Sequence, residues 1–303
     1  MIAPLLALLD RLAPKSDALF VQMAYRVVLG RPPDPGGLAN AVAKLRQGYA
    51  RISFVHDLVT SAEFGEKSRA AREDLDVKTY DVFGTPLVLH DVRGYPMRDV
   101  VVGELLHDIY GIEGMAFAPG DVVIDVGGNL GVVSIYVARK HPGVRAILYE
   151  PMPDSFRLCV RNIEANGVAD RVTAVAKAVT SDGRPLTLAA RRDFLGGASA
   201  HYDGARVAGP DHVQYTVDSV TLDRLFQDHA ITRCKLLKID CEGSEHEILR
   251  AAHVLDRVDF LSGELHINAR LRAQGHSIEG LREFAARFIA PERIRVTAVT
   301  MSD

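Results

Sequence analysis

The chain has 303 residues, 48% of them hydrophobic and 25% charged, with a formal net charge of −3. This is the composition of a globular protein with room for one large domain and one smaller one. It lacks the run of Lys and Arg that a nucleic-acid partner would require, and no segment is long and apolar enough to cross a membrane. Cys159, Cys234 and Cys241 form no C-x-x-C pair, so neither a zinc site nor a disulfide framework is expected. A reducing, cytoplasmic location fits that cysteine usage.

Residues 1–75 read as helical, opening on the amphipathic "MIAPLLALLD". Leu19, Phe20, Met23, Ala24 and Val27 recur at helix spacing. "GRPPDPGG" at 30–37 breaks that helix, a second is expected over 37–47, and a third starts near Ser53. The charged stretch "EKSRAAREDLD" at 66–76 reads as a helix end or linker, which divides the chain into domains 1–75 and 76–303. From there the pattern alternates. Strands are expected at 85–91, 122–126, 144–149, 172–178, 212–217, 235–240, 257–263 and 294–299. Helices are expected at 131–139, 153–166, from about 221, at 245–252 and at 278–288. Such alternation predicts an α/β, Rossmann-like fold: a mostly parallel, doubly wound sheet with helices on both faces, beside a small all-α N-terminal domain. Ligands then bind beyond the carboxyl ends of the strands.

Strand 122–126 leads into "DVGGNLG", where Gly127 and Gly128 let a ligand approach the main chain and the following helix start offers free N–H groups. A dinucleotide fingerprint counted from Gly127 fails at Asn129 and Val132. The pattern D-x-G-x-(G/N)-x-G is met by Asp125, Gly127, Asn129 and Gly131. Asp125 beside a pyrophosphate would be repulsive by about 1 kcal/mol in water and more when buried. Beside the ammonium and sulfonium of S-adenosylmethionine it would be attractive. Glu150, about twenty residues beyond the loop, stands where an acid binds ribose hydroxyls. Pro151, Ala178 and Asp240, at their own strand ends, complete the expected cofactor contacts. The competing readings are an NAD-dependent oxidoreductase, which Asp125 and the failed spacing oppose, and a non-catalytic adaptor or regulator of glycan assembly.

"GDVVIDVGGNLGVVSIYVARKHPGVRAILYEPMPDSFRLCVRNIEANG", "VDSVTLDRLF", "LLKIDCEGSEHEILRAA" and "GELH", in that order, resemble the FkbM family of S-adenosylmethionine-dependent methyltransferases over roughly residues 80–270. "MRDVVVGELLHDIYG" at 97–111 resembles the segment that precedes the family's glycine loop. The resemblance implies methyl transfer, often to a hydroxyl of a sugar or polyketide-like product. The stretch "FVQMAYRVVLGRPPDPGGLANAVAKLRQGYARISFVHDLVTSAEF" is similar to a small helical domain of unknown function found in bacterial surface-associated proteins and beside glycan-modifying enzymes. It implies a tie to saccharide-building machinery, through protein association or oligomerisation. One departure stands out: the common methyltransferase sheet ends in an antiparallel hairpin, and here a single strand is expected at 294–299.

Candidate catalytic residues lie at two strand ends: Asp240 and Glu242 after 235–240, Glu264 and His266 after 257–263. Asp240 or His266 could take a proton from the acceptor, or Asp240 and Glu264 could share Mg²⁺. Glu245 reads as a charge at a helix start, Lys238 as a carboxylate's partner within its strand, and Cys241 as a small buried residue. The Gly-rich interval at 193–212 reads as a substrate loop in which His201, Tyr202 and Asp203 could meet a saccharide or glycan-like acceptor.

Overall fold

The computed structural model describes residues 16–29, 31–59, 75–94, 97–191, 194–201 and 212–301. Internal contacts divide the chain between Leu75 and Asp76. The first unit holds three helices, α1 (Asp17–Leu29), α2 (Pro35–Arg46) and α3 (Arg51–Val59). The Asp34 side chain caps α2 by accepting from the Gly37 amide at 2.8 Å, and Pro35 occupies the first turn, where its missing N–H costs nothing. Phe20, Val21, Ala24 and Leu29 of α1 pack with Leu45 and Val55. Leu19, expected on that face, is 44% exposed; the buried stripe runs through Val21 instead. Most of the expected linker lies outside the described residues, but Leu75 and Asp76 already belong to a strand.

That strand, β1 (Leu75–Val82), pairs with β2 (Thr85–Val92) as a hairpin across Phe83 and Gly84. Its polar, exposed sequence hides it from hydrophobic patterning. Two asparagines of a later helix secure β2: the Val88 and His90 amides donate to the side chains of Asn166 and Asn162 at 3.0 and 2.7 Å. Helix α4 (Met97–Leu106) follows.

The central sheet has six strands. They are β3 (Val122–Val126), β4 (Arg145–Tyr149), β5 (Val172–Val175), β11 (Cys234–Ile239), β12 (Val258–Ile267) and β13 (Ile294–Thr300). Their order is β13-β12-β11-β3-β4-β5, with every neighbouring pair parallel. The order reverses between β3 and β11, which is where open α/β sheets bind ligands. Val122, Ile124 and Val126 share a core with α7 (Leu222–Asp228), α8 (Glu245–Ala251) and α10 (Ile278–Ala285). Asp125 alternates to the other face, where Ser134 of α5 (Val132–Lys140) reaches it. Helices thus cover both faces. Helix α6 (Pro153–Ala165) follows β4, and the short α9 (Ala269–Ala273) follows β12.

Three strand expectations change. The run at 172–178 splits: β5 stays in the sheet, while β6 (Ala178–Val179) pairs with β10 (Ser219–Val220). The strand expected at 212–217 is β9 (His212–Val217), which joins an antiparallel sheet of order β8-β7-β9 with β7 (Leu186–Arg191) and β8 (Phe194–Ser199). The Gly-rich sequence of β8 had read as loop. Strand β12 runs to Ile267 rather than 263, because β13 pairs with it through Ile267↔Thr300. Glu264 and His266 therefore sit within a strand. At Gly263, φ is +144° and a Cβ would stand 1.8 Å from the Ile239 carbonyl oxygen, so only glycine lets β12 lie this close to β11. No helix among the described residues is long and apolar enough to cross a membrane.

Candidate active site

The ends of β3, β4 and β11 open into one cleft with about 1090 Å³ of empty space, solvent included. Gly127 turns the chain out of β3 at φ +77°, and a Cβ there would lie 1.8 Å from the Asp240 carbonyl oxygen. Gly127 and Gly128 both donate their amides to the Tyr149 carbonyl at 3.0 Å, which ties the loop to β4. Asn129 has φ +48°, a region that Asn and Gly enter most readily, and this is the physical reason either residue serves at that position.

Glu150 is 6% exposed and lines the cleft. Its two oxygens accept from the backbone amides of Asn129 and Met152, each at 2.8 Å. Burial pushes its carboxyl up to about 7, against the pull of those two amides. Pro151 and Ala178 also line the cleft.

Asp125 has a different neighbour from the one expected of it. It is fully buried and lies outside the cleft lining. It accepts from Ser134 Oγ at 2.9 Å and pairs with Lys238 Nζ at 3.2 Å, its partner in register on β11. Lys238 Nζ donates to the Gly127 carbonyl at 2.8 Å and stands 3.6 Å from Asp240. Burial acts to lower the Lys238 pKa, and the carboxylates of Asp125 and Asp240 outweigh it, so the net shift is upward. The loop acid is thus bonded to a lysine and a serine and is absent from the cleft lining. Gly131 precedes α5 at φ +80°, where a Cβ would press on Cys159 Sγ at 2.8 Å, and it too is absent from the cleft lining.

The cleft lining is also acidic. Asp240, Glu242 and Glu264 line it, joined by Glu104 and Tyr110 from α4 and the turn after it. Tyr110 donates its hydroxyl to Glu104 at 3.2 Å and to Asp240 at 3.4 Å. Burial raises the Glu104 carboxyl, with Asp240 adding to it, and raises Glu242 and Glu264 each to about 7. His266 is buried behind them. Its Nδ1 lies 3.0 Å from Glu245, and its Nε2 faces Glu242 and Glu264, both at 3.7 Å. Burial works against the imidazolium, but Glu245, Glu242 and Asp240 carry its pKa up to about 9. Glu245 is fully buried and also accepts from the amides of Cys241 and Gly243, so it anchors the β11–α8 turn and His266 together. The Cys241 thiol is pushed well above its ordinary value by burial and does not favour the thiolate.

His201 does not line this cleft. It is buried against Ser244 Oγ at 3.2 Å and lines a second cavity with Thr180, Asp182, Arg184 and Glu247. Tyr202 and Asp203 lie outside the described residues.

A family model described as the methyltransferase FkbM domain matches residues 125–284, more than half of the chain. The chain belongs to the FkbM methyltransferase family. A second model, a domain of unknown function (DUF4214), matches residues 10–68. The 31-O-demethyl-FK506 methyltransferase FkbM of Streptomyces tacrolimicus is 29% identical over 197 residues, 54% of this chain and 76% of that protein. Methyltransferase sdnD of Sordaria araneosa is 24% identical over 152 residues, 42% of this chain and 59% of that protein. The solved structure of methyltransferase FkbM from Methylobacillus flagellatus aligns with 13% identity and a TM-score of 0.33, over 80% of this chain and 49% of that one.

The methyl donor of this FkbM enzyme is S-adenosylmethionine, and the residues present fit it. The Asn129 side-chain oxygen is buried in the cleft wall with no hydrogen-bond partner among the described residues, an acceptor left open for a ligand donor. Glu150 stands beside it with its backbone bonds already made. Gly127 and Gly128 lack a Cβ where one would press on the Asp240 carbonyl and the Leu148 side chain, so the loop main chain lies close against its neighbours at the cleft wall. Two contributors, Glu104 and Tyr110, escaped the sequence reading. Both lie in "MRDVVVGELLHDIYG", a segment noted for its family likeness, but only Glu104, a lone Glu in the apolar run "VVVGELL", stood out as a residue.

Proposed function

We propose that this FkbM-family enzyme O-methylates a hydroxyl of a sugar, glycan or glycosylated metabolite. The observation that carries the reading is the polarity of one continuous cleft. Glu150 and Asn129 line it, suited to a nucleoside, and Asp240, Glu242, Glu264 and Glu104 line it too, suited to polyhydroxylated or cationic groups. The name of the Streptomyces relative places its methyl on an oxygen, which supports a hydroxyl acceptor here. The helical domain of unknown function supports a saccharide context. Cys159, Cys234 and Cys241 are free, in keeping with a cytoplasmic enzyme.

S-adenosylmethionine supplies an electrophilic methyl on a sulfonium. The chain's part is to place the acceptor oxygen in line with it, an alignment that can contribute roughly 7–11 kcal/mol. When its oxygen takes the methyl and the sulfonium leaves as a neutral thioether, the hydroxyl would have to give up its proton, and a cleft carboxylate would receive it. We assign that role to Glu264, whose carboxylate lines the cleft, whereas His266 has Nδ1 engaged by Glu245. Asp240 supports the site from its bonds with Tyr110 and Lys238. Mg²⁺, expected between Asp240 and Glu264, would serve the same end by making the hydroxyl more acidic.

Calorimetry tests the cofactor half: one S-adenosylhomocysteine should bind per chain, and an intact protein that binds none would overturn it. A glycan panel scored for methyl consumption tests the acceptor half. Glu264→Gln should lose turnover by about 100-fold or more while keeping S-adenosylhomocysteine affinity. Retained turnover would remove Glu264 from the mechanism.

A further inference from the structure

Asp240, Glu242 and His266 each offer one ligand atom, and the three atoms lie within 4.8 Å of one another. We infer that they form a binding site for a divalent cation at the cleft. The ligand set differs from the Asp240 and Glu264 pair expected from the sequence, because β12 carries the His266 ring, and not the Glu264 carboxylate, into the group. The use of the cation rests on the methyltransferase reading; its binding does not.

His266 gives the strongest indication. Its side chain is 3% exposed, and its Nε2 makes no hydrogen bond among the described residues while facing carboxylate oxygens of Glu242 and Glu264 at 3.7 Å. Nε2 points between the two carboxylates, 3.7 Å from each, and a divalent cation would take the place of the ring proton among them. The opposite ring nitrogen is held at 3.0 Å by Glu245, which the backbone amides of Cys241 and Gly243 fix in turn. A carboxylate behind a ligating histidine sets its tautomer and orientation. Glu242 is presented from a left-handed backbone, φ +54°, with its carbonyl held by Ser199 Oγ at 2.6 Å. Asp240 is steadied by Tyr110 at 3.4 Å and Lys238 at 3.6 Å.

Donor type narrows the ion. Opposite ligands stand about 4.6–5.2 Å apart around Ca²⁺ and about 4.0–4.2 Å apart around Mg²⁺. Adjacent ligands stand closer than that, so three atoms within 4.8 Å of one another would draw together around any of these ions. One imidazole with two carboxylates suits Mn²⁺ and its neighbours better than Ca²⁺, which prefers oxygen alone. Three protein ligands leave roughly three positions of a six-coordinate ion open. An acceptor with two adjacent oxygens, such as the vicinal diol of a sugar, could fill two of them. One hydroxyl would then be acidified by the ion and lose its proton to Glu264, and the methyl step balances as above.

The test is a titration of the full chain with Mn²⁺, read by electron paramagnetic resonance, with no cofactor present. One Mn²⁺ should bind per chain. Glu242→Gln should weaken it by roughly 10-fold or more, and Glu245→Gln by roughly 10–100-fold through His266. Circular dichroism melts report whether each variant folds. Glu242→Gln, at a partly exposed side chain, keeps the test decisive if the Glu245 variant does not fold. No bound Mn²⁺ at millimolar concentration, or equal affinity in Glu242→Gln, overturns the site. S-adenosylhomocysteine calorimetry on the same sample separates the two readings. Cofactor binding without Mn²⁺ binding removes only the cation; Mn²⁺ binding without cofactor binding leaves the cation site and removes the methyltransferase reading.

Discussion

Replacing Lys238 by Met asks what the acid of the glycine loop does. Lys238 and Asp125 have side chains only 5% and 1% exposed, with Nζ and Oδ1 3.2 Å apart. Lys238→Met keeps the volume but strands a buried carboxylate with Ser134 as its one hydrogen-bond donor. It also removes the 2.8 Å bond to the Gly127 carbonyl. Breaking a buried pair on one side costs about 3–5 kcal/mol, whereas neutralising both sides is often close to neutral. Lys238→Met should therefore destabilise the methyltransferase unit by about 4 kcal/mol, and adding Asp125→Asn should recover at least about 2 kcal/mol of it. Urea unfolding followed by circular dichroism, compared at constant m, reads both values. A cost below about 1 kcal/mol for Lys238→Met, or a double variant no better than the single one, would refute the reasoning. S-adenosylhomocysteine binding to the double variant gives a second reading. If Asp125 held the ligand ammonium itself, affinity would collapse; from its place outside the cleft lining, a loss within about 10-fold is expected, or about 1.4 kcal/mol.

Glu150 makes cofactor binding depend on pH. Its folded carboxyl pKa of about 7 exceeds its ordinary value of 4.5, so the folded state holds the proton more tightly than the unfolded one. Its contribution to stability is present in full below 4.5 and is lost as pH rises through about 7, a span of about 3 kcal/mol for the free protein. Binding that selects the carboxylate should weaken as pH falls below about 7, by up to about 10-fold per unit; a dissociation constant for S-adenosylhomocysteine that is flat from about pH 6 to 8 would exclude this. Gly127→Ala places a Cβ 1.8 Å from the Asp240 carbonyl at φ +77°, and should cost about 2–4 kcal/mol in urea unfolding together with most cofactor affinity. Asn162→Ala removes the acceptor of the His90 amide and the donor to the Leu130 carbonyl, and a melt should show a loss of about 2–4 kcal/mol, roughly 5–12 °C.

The middle of the sheet was legible because its strands are buried and read as apolar runs between helical periods. Val122 to Val126 is buried at every position. What hydrophobic patterning could not see was built from other chemistry. Strand β1 is polar and exposed, and β8 is rich in glycine. The loop acid was legible as an acid but not by its partner. Asp125 and Lys238 are adjacent only through the register of β3 and β11, a pairing across more than a hundred residues. The same limit hid Tyr110, which meets Asp240 across 130 residues. Sequence supplied the sign of the charge at the loop, while the fold decided where that charge is felt. Asp125 holds Lys238, Lys238 holds the Gly127 carbonyl, and Gly127 in turn accommodates the Asp240 carbonyl in the space a Cβ would take. A chain of contacts thus links Asp125 through the glycine loop to Asp240, which lines the cleft. A change at Asp125 should therefore be felt both at the loop and at Asp240.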